Sequence, residues 1–158
     1  MIGDLRDNEA IALALAAAET GHIVLGTLSS TTAPKAVDRI ISSFPHDEQP
    51  QVRTALAESL KYVVAQRLLP IQGRRERVAC FEILRGTLSV TNMIRDDKTF
   101  QLPSAMQMGR SQGMQTFDDA LRDLVRAGKI SDECAYMHAA NREDFEAMVP
   151  PGLLEQES

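Results

Sequence analysis

The sequence predicts an α/β fold, with a parallel sheet in the first third, an edge hairpin in the middle and helices to the end. Three observations carry that prediction. A small-residue stretch over residues 9–20 leads through Gly21 into a continuous apolar run over residues 22–28, the order of a crossover helix and the next parallel strand. Two apolar runs, residues 66–71 and 77–84, flank the polar turn Gln72-Gly73-Arg74-Arg75, which is a hairpin pattern. From Thr87 onward the apolar residues recur only at helical spacing.

Each element has a local justification. Asp7 or Asn8 is a good N-cap for the first helix and Gly21 a good residue to end it. That helix carries Ala on every face, which predicts burial against a sheet. Residues 29–33 form a Ser/Thr-rich loop, and Pro34 stands near the start of a helix over residues 34–43. Val37, Ile40 and Ile41 share one of its faces, while Lys35, Asp38 and Arg39 lie towards the other. Phe44-Pro45-His46-Asp47 breaks it. Val52, Leu56, Leu60 and Val63 then predict a longer helix over residues 48–65. Val90, Met93 and Ile94 give a short amphipathic helix, and residues 103–110 give another. Thr116 with Asp119 resembles a capping box, with Phe117, Leu121, Leu124 and Val125 as the apolar face and Gly128 at the end. A last helix begins at Ser131 and fades through Asn141, and residues 150–158 are expected to be disordered.

Composition bounds the function. The 158 residues are 44% hydrophobic and 25% charged, as in an ordinary globular domain. Only 4% are aromatic and none is Trp, so aliphatic residues and Met must fill the core. A formal net charge of −5 argues against a dedicated nucleic-acid binder. Cys80 and Cys134 match no zinc or redox spacing and are expected to be packing thiols in a reducing cytoplasm. His46 and His138 have no companions at ligand spacing, so no metal site is expected. The start of the chain does not read as a signal peptide, and the longest apolar run, residues 10–18, is too short to insert in a bilayer.

Several blocks, in order, resemble the PilT-type motors of the secretion ATPase superfamily, which retract type IV pili. Gly3-Asp4-Leu5-Arg6-Asp7 is similar to the end of that family's Walker B motif. Ala17-Ala18-Glu19-Thr20-Gly21-His22 and Gly26-Thr27-Leu28 are similar to its histidine box. Asp38-Arg39-Ile40-Ile41 with Phe44-Pro45, Gln51-Val52-Arg53, Leu56-Ala57-Glu58-Ser59-Leu60 and Gln66-Arg67-Leu68-Leu69-Pro70 continue the series. Glu82-Ile83-Leu84, Asn92-Met93-Ile94-Arg95 and Gly113-Met114-Gln115-Thr116-Phe117-Asp118 complete it. Any one block is weak evidence; the ordered series is specific.

The resemblance implies the C-terminal portion of a RecA-like P-loop NTPase domain, a parallel sheet plus edge hairpin, followed by a helical appendage. Residues 1–86 would be a partial ATPase core from Walker B onward and residues 87–149 a helical region. It implies ATP and Mg2+ as cofactors of the parent motor, with Asp4 acting on the attacking water or on magnesium and His22 sensing the γ-phosphate. Arg6 and Arg39 become candidates for inter-subunit or phosphate-sensing contacts, and Asn92, Ile94 and Arg95 for motor output. A hexamer is implied, working in the cytoplasm against the pilus platform at the inner membrane, with no nucleic acid and no membrane insertion of its own.

The departures matter as much. Asp4 replaces the family's Walker B glutamate, a shortening of roughly 1 Å, and misplacement on that scale can cost on the order of 100-fold in rate. Ser29 replaces the second histidine of the box, and Thr91 replaces the arginine ahead of Asn92. No G-x-x-x-x-G-K-[ST] occurs anywhere in the sequence, so no loop cradles phosphates. Gly109-Arg110-Ser111-Gln112-Gly113 lacks the Lys-Ser/Thr pair and reads as a turn. The alternative expectation is therefore a truncated, catalytically silent fragment that acts, if at all, as an assembly or interaction module. It would bind no nucleotide tightly and would tend to associate through exposed apolar surface. Arg74, Arg75 and Arg77 are expected to be solvated, and Glu82, in an apolar strand, to need a partner.

Overall fold

The computed structural model describes residues 1–150. The chain divides into two compact units: Met1–Ala65 with Ile83–Met114, and Gln66–Glu82 with the residues from Gln115 onward.

The first unit opens with a short parallel pairing. Ile2 bridges Gly26, with Ile2 N–H donating to Leu25 O at 2.8 Å and Leu5 N–H to Thr27 O at 2.8 Å. Helix α1, Asn8–Glu19, connects the two segments, capped by the Asp7 carboxylate on the Ala10 N–H. Helices α2, Ala33–Ser42, and α3, Gln49–Ser59, follow. Strand β1, Tyr62–Pro70, and strand β2, Arg77–Arg85, form the two-stranded sheet. It is antiparallel, as expected, around the turn at Gly73. Helix α4, Leu88–Arg95, and helix α5, Leu102–Met108, complete the first unit, each followed or preceded by short 3-10 turns. Val37, Ile41, Leu56, Leu84, Val90, Ile94, Leu102 and Met106 form its core.

The second unit carries the turn end of the hairpin with α6, Phe117–Arg126, α7, Asp132–His138, and a short α8, Glu143–Glu146. Thr116 and Ser131 cap α6 and α7 through their hydroxyls. Leu69, Cys80, Phe117, Leu121, Ile130, Tyr136 and Phe145 are buried, as is Glu82 on β2. The last helix, expected to fade through Asn141, ends at His138, and α8 lies beyond the residues expected to be helical. The expected disorder of the tail falls, apart from Pro150, outside the described residues.

Three sequence expectations are corrected. The helix expected over residues 48–65 ends at Ser59, and β1 begins at Tyr62. Tyr62, Val63 and Val64 are residues that favour strands, and Gly86 N–H donates to Lys61 O at 2.8 Å across the hairpin's open end. Val63 still reaches the core, from a strand. The run over residues 22–28, expected as a buried strand, is a single bridge with Ile23 93% and Leu25 62% exposed. Helix α1, expected to be buried all round, buries only Ile11 and Ala14 and leaves Leu13 66% exposed. Both have one cause: among the described residues only residues 2–5 pair with this strip, so no wider sheet covers it.

Candidate nucleotide-motor site

The parallel strip decides which sequence candidates meet. With Ile2 level with Gly26, Asp4 comes beside Thr27 and Leu28, at the carboxyl end of both segments. Thr27 fastens the pairing there through its hydroxyl, which donates to the Gly3 carbonyl. The Asp4 carboxylate accepts from the Arg6 guanidinium, with the arginine 82% and the aspartate 31% exposed, so solvent screens most of that attraction. One residue past Leu28, the Ser29 carbonyl accepts from Arg39 Nη1, reaching over from α2. Asp4, Arg6 and the Arg39–Ser29 contact therefore gather at the carboxyl edge, where open α/β sheets bind ligands.

His22 does not join them. It lies four residues before the bridge at Gly26, where α1 closes, whereas Asp4 lies two residues past the bridge at Ile2. What sits near Asp4 instead is Ser29, the position where the resemblance implies a second histidine. His22 follows a helix end of well-defined geometry. Gly21, at φ +87°, donates to Ala18 O at 3.0 Å, and His22 N–H donates to Ala17 O at 3.2 Å. This double bond pattern is the Schellman motif, for which the left-handed residue is usually Gly. The Thr20 hydroxyl lies 3.0 Å from His22 Nδ1. Neither Thr20 nor Thr27 was singled out from sequence; a Thr-Gly pair closing a helix was the available signal.

The proposed output residues lie elsewhere in the first unit, on α4. Ile94 is fully buried in the core, Asn92 is exposed, and Arg95 pairs with Glu58 of α3 at 3.6 Å. Thr91, where the resemblance implies an arginine, donates its hydroxyl to Ala57 O of α3 at 3.2 Å. These contacts join α4 to α3.

Among the described residues no group of three or more His, Cys, Asp or Glu side chains could hold a metal ion. Asp4 is a single acid already tied to Arg6. The residues here thus do not fit a complete magnesium–nucleotide site. No helix of the described residues is long and apolar enough to cross a membrane. In the second unit, a cleft of about 350 Å³ is lined by Gln72, Val125, Ile130, Asp132, Glu133 and Met148.

Comparison with known proteins agrees with the ordered motifs. The family model described as type II/IV secretion system protein matches residues 1–141. The twitching motility protein of Neisseria gonorrhoeae is 48% identical over 145 residues, 92% of this chain and 39% of that protein. The type IV pilus retraction ATPase PilT of Pseudomonas aeruginosa is also 48% identical, over 92% of this chain and 42% of its own length. The chain thus spans about two fifths of these relatives. The crystal structure of the pilus retraction motor PilT with bound ADP superposes with a TM-score of 0.80 at 39% identity, over 92% of this chain and 40% of that one. The Legionella pneumophila ATPase DotB gives 0.75 at 27% identity, over 87% of this chain and 37% of that one. The fold is that of RecA-like secretion ATPases, and the chain belongs to the type II/IV secretion system protein family, in its PilT-type branch.

Proposed function

We propose that this chain is the part of a type IV pilus retraction ATPase that runs from the Walker B acid through the helical appendage, and that its residues by themselves are catalytically silent. The observation that supports the reading best is the parallel strip, which sets Asp4 beside the Ser29 loop at the carboxyl edge. In the whole motor Asp4 stands where the acid acts on the attacking water, and Arg6 and Arg39 face phosphate or a neighbouring subunit. His22 senses phosphate state indirectly, through the strip whose far end carries Asp4. The α3–α4 pair, with Asn92, Ile94 and Arg95, passes motion to the pilus platform at the inner membrane. Assembly is hexameric and cytoplasmic, with ATP and Mg2+ bound by the whole motor and not tightly by these residues.

The test is ATP turnover by the purified 158-residue chain with magnesium. Background-level hydrolysis is expected. Turnover that Asp4→Ala abolishes would sink the silent reading and leave the enzyme reading standing. Light scattering of the same sample tests association: oligomers or aggregates are expected, and a monodisperse monomer would contradict this.

A further inference from the structure

The end of α1 does more than stop a helix. The Thr20 hydroxyl oxygen lies 2.8 Å from Ala17 O, 3.3 Å from Ala16 O and 3.0 Å from His22 Nδ1. A hydroxyl has one hydrogen, and a carbonyl oxygen can only accept. Two oxygens 2.8 Å apart are stable only with a hydrogen between them, so the Thr20 hydrogen points to Ala17 O. The hydroxyl oxygen can then meet His22 Nδ1 only as an acceptor, and the ring hydrogen must sit on Nδ1. Which imidazole nitrogen carries the hydrogen is set by the hydrogen bonds the ring makes. The backbone of His22 is pinned by the Schellman bond from its N–H to Ala17 O at 3.2 Å, so the ring has a fixed base to turn on.

We infer that Thr20 is a positioning residue that holds His22 in the Nδ1–H tautomer, leaving Nε2 as its outward hydrogen-bond acceptor. This deepens the sensing role given to His22 above and rests on that reading for its functional meaning. The neutral ring then recognises a donor, such as water or an arginine N–H. An unprotonated phosphate oxygen, itself only an acceptor, does not pair with that nitrogen.

The experiment is a long-range 15N–1H correlation spectrum of the imidazoles in this chain, well above pH 7 and without nucleotide. His22→Gln identifies the His22 signals by their loss. His138, whose Nδ1 donates to Cys134 O at 2.9 Å, serves as an internal Nδ1–H reference, and exposed His46 as the solvated one. Expected is a pyrrole-like Nδ1 and a pyridine-like Nε2 for His22, retained in Thr20→Ser and lost in Thr20→Val. A wild-type ring protonated on Nε2, or a Thr20→Val spectrum identical to wild type, overturns the inference. The spectrum needs no ATP, so failure of the motor reading in the turnover assay and failure of the tautomer are separate results.

Discussion

Arg53 Nη2 lies 2.8 Å from Asp97 Oδ1, joining an arginine side chain only 13% exposed to an aspartate held at φ +59°. Asp97 closes α4 as Gly21 closes α1: its N–H reaches Ile94 O at 3.3 Å and the Lys98 N–H reaches Met93 O at 2.8 Å. The left-handed conformation costs an L-residue roughly 1–2 kcal/mol. Its carboxylate answers an arginine whose Nε has no hydrogen-bond partner among the described residues. Asp97→Gly therefore removes strain and pair together, whereas Asp97→Ala loses the pair and keeps the strain. Urea midpoints should show Asp97→Ala less stable than Asp97→Gly by about 1 kcal/mol. Equal midpoints would remove strain from the account.

Gly86 is required by a close approach. A Cβ built on it would collide with the backbone carbonyl oxygen of Leu60, which no side-chain motion can relieve. Gly86→Ala must open the end of the hairpin where Gly86 N–H meets Lys61 O. A loss of about 1–3 kcal/mol is expected in chemical denaturation. A variant as stable as the parent would mean that this end of the sheet is loose.

In the second unit, Asp118 holds the chain beyond α7. Its two carboxylate oxygens accept from Ala140 N–H at 2.8 Å and Asn141 N–H at 3.0 Å. Hydrogen bonds to a charged group contribute about 1.5–3 kcal/mol when sheltered and less when exposed, as here. Asp118→Ala should speed amide exchange at Ala140 and Asn141 while leaving α6 protected. Unchanged exchange at those two amides would show that the bonds do not hold the segment.

Burial pushes the Cys80 thiol up to about 11, with Arg67 opposing and Asp118, Cys134 and Glu82 adding to the rise. Burial also raises Cys134. The thiolate is the nucleophile, so iodoacetamide at pH 8 should label Cys80 only at the unfolding rate, after Cys134. A thiol raised in the folded state favours the protonated form there. Its contribution to stability is therefore complete below pH 9 and lost as pH rises towards 11. Cys80→Ala should flatten that part of the stability profile; an unaltered profile would assign the alkaline loss elsewhere.

Much was legible in the sequence because it depended on neighbours a few residues away. Asp7, Thr116 and Ser131 each cap a helix through the N–H three residues on, and such bonds form wherever the chain enters a helix. The order of the Walker B-like acid, the Gly21 stop and the hairpin turn was readable for the same reason. What went wrong was long-range. Val52, Leu56, Leu60 and Val63 keep helical spacing past the true end of α3, because spacing alone cannot register that Lys61 is paired with Gly86. Likewise residues 22–28 read as a core strand, but a strand is buried only by the neighbours it finds, and here it finds residues 2–5.

The candidate site divides along the same line. Sequence alone determined the chemistry on offer: an aspartate where the resemblance implies glutamate, one histidine where it implies two, arginines at residues 6 and 39, and no G-x-x-x-x-G-K-[ST] among these residues. Only the tertiary structure decided the geometry. The register of Ile2 with Gly26 assigns Asp4 to the Ser29 end of the strip and His22 to the other. Residue types are properties of the chain, but which of them meet depends on hydrogen-bond registers closed across twenty-four residues. A one-residue slip in such a register turns every side chain to the opposite face.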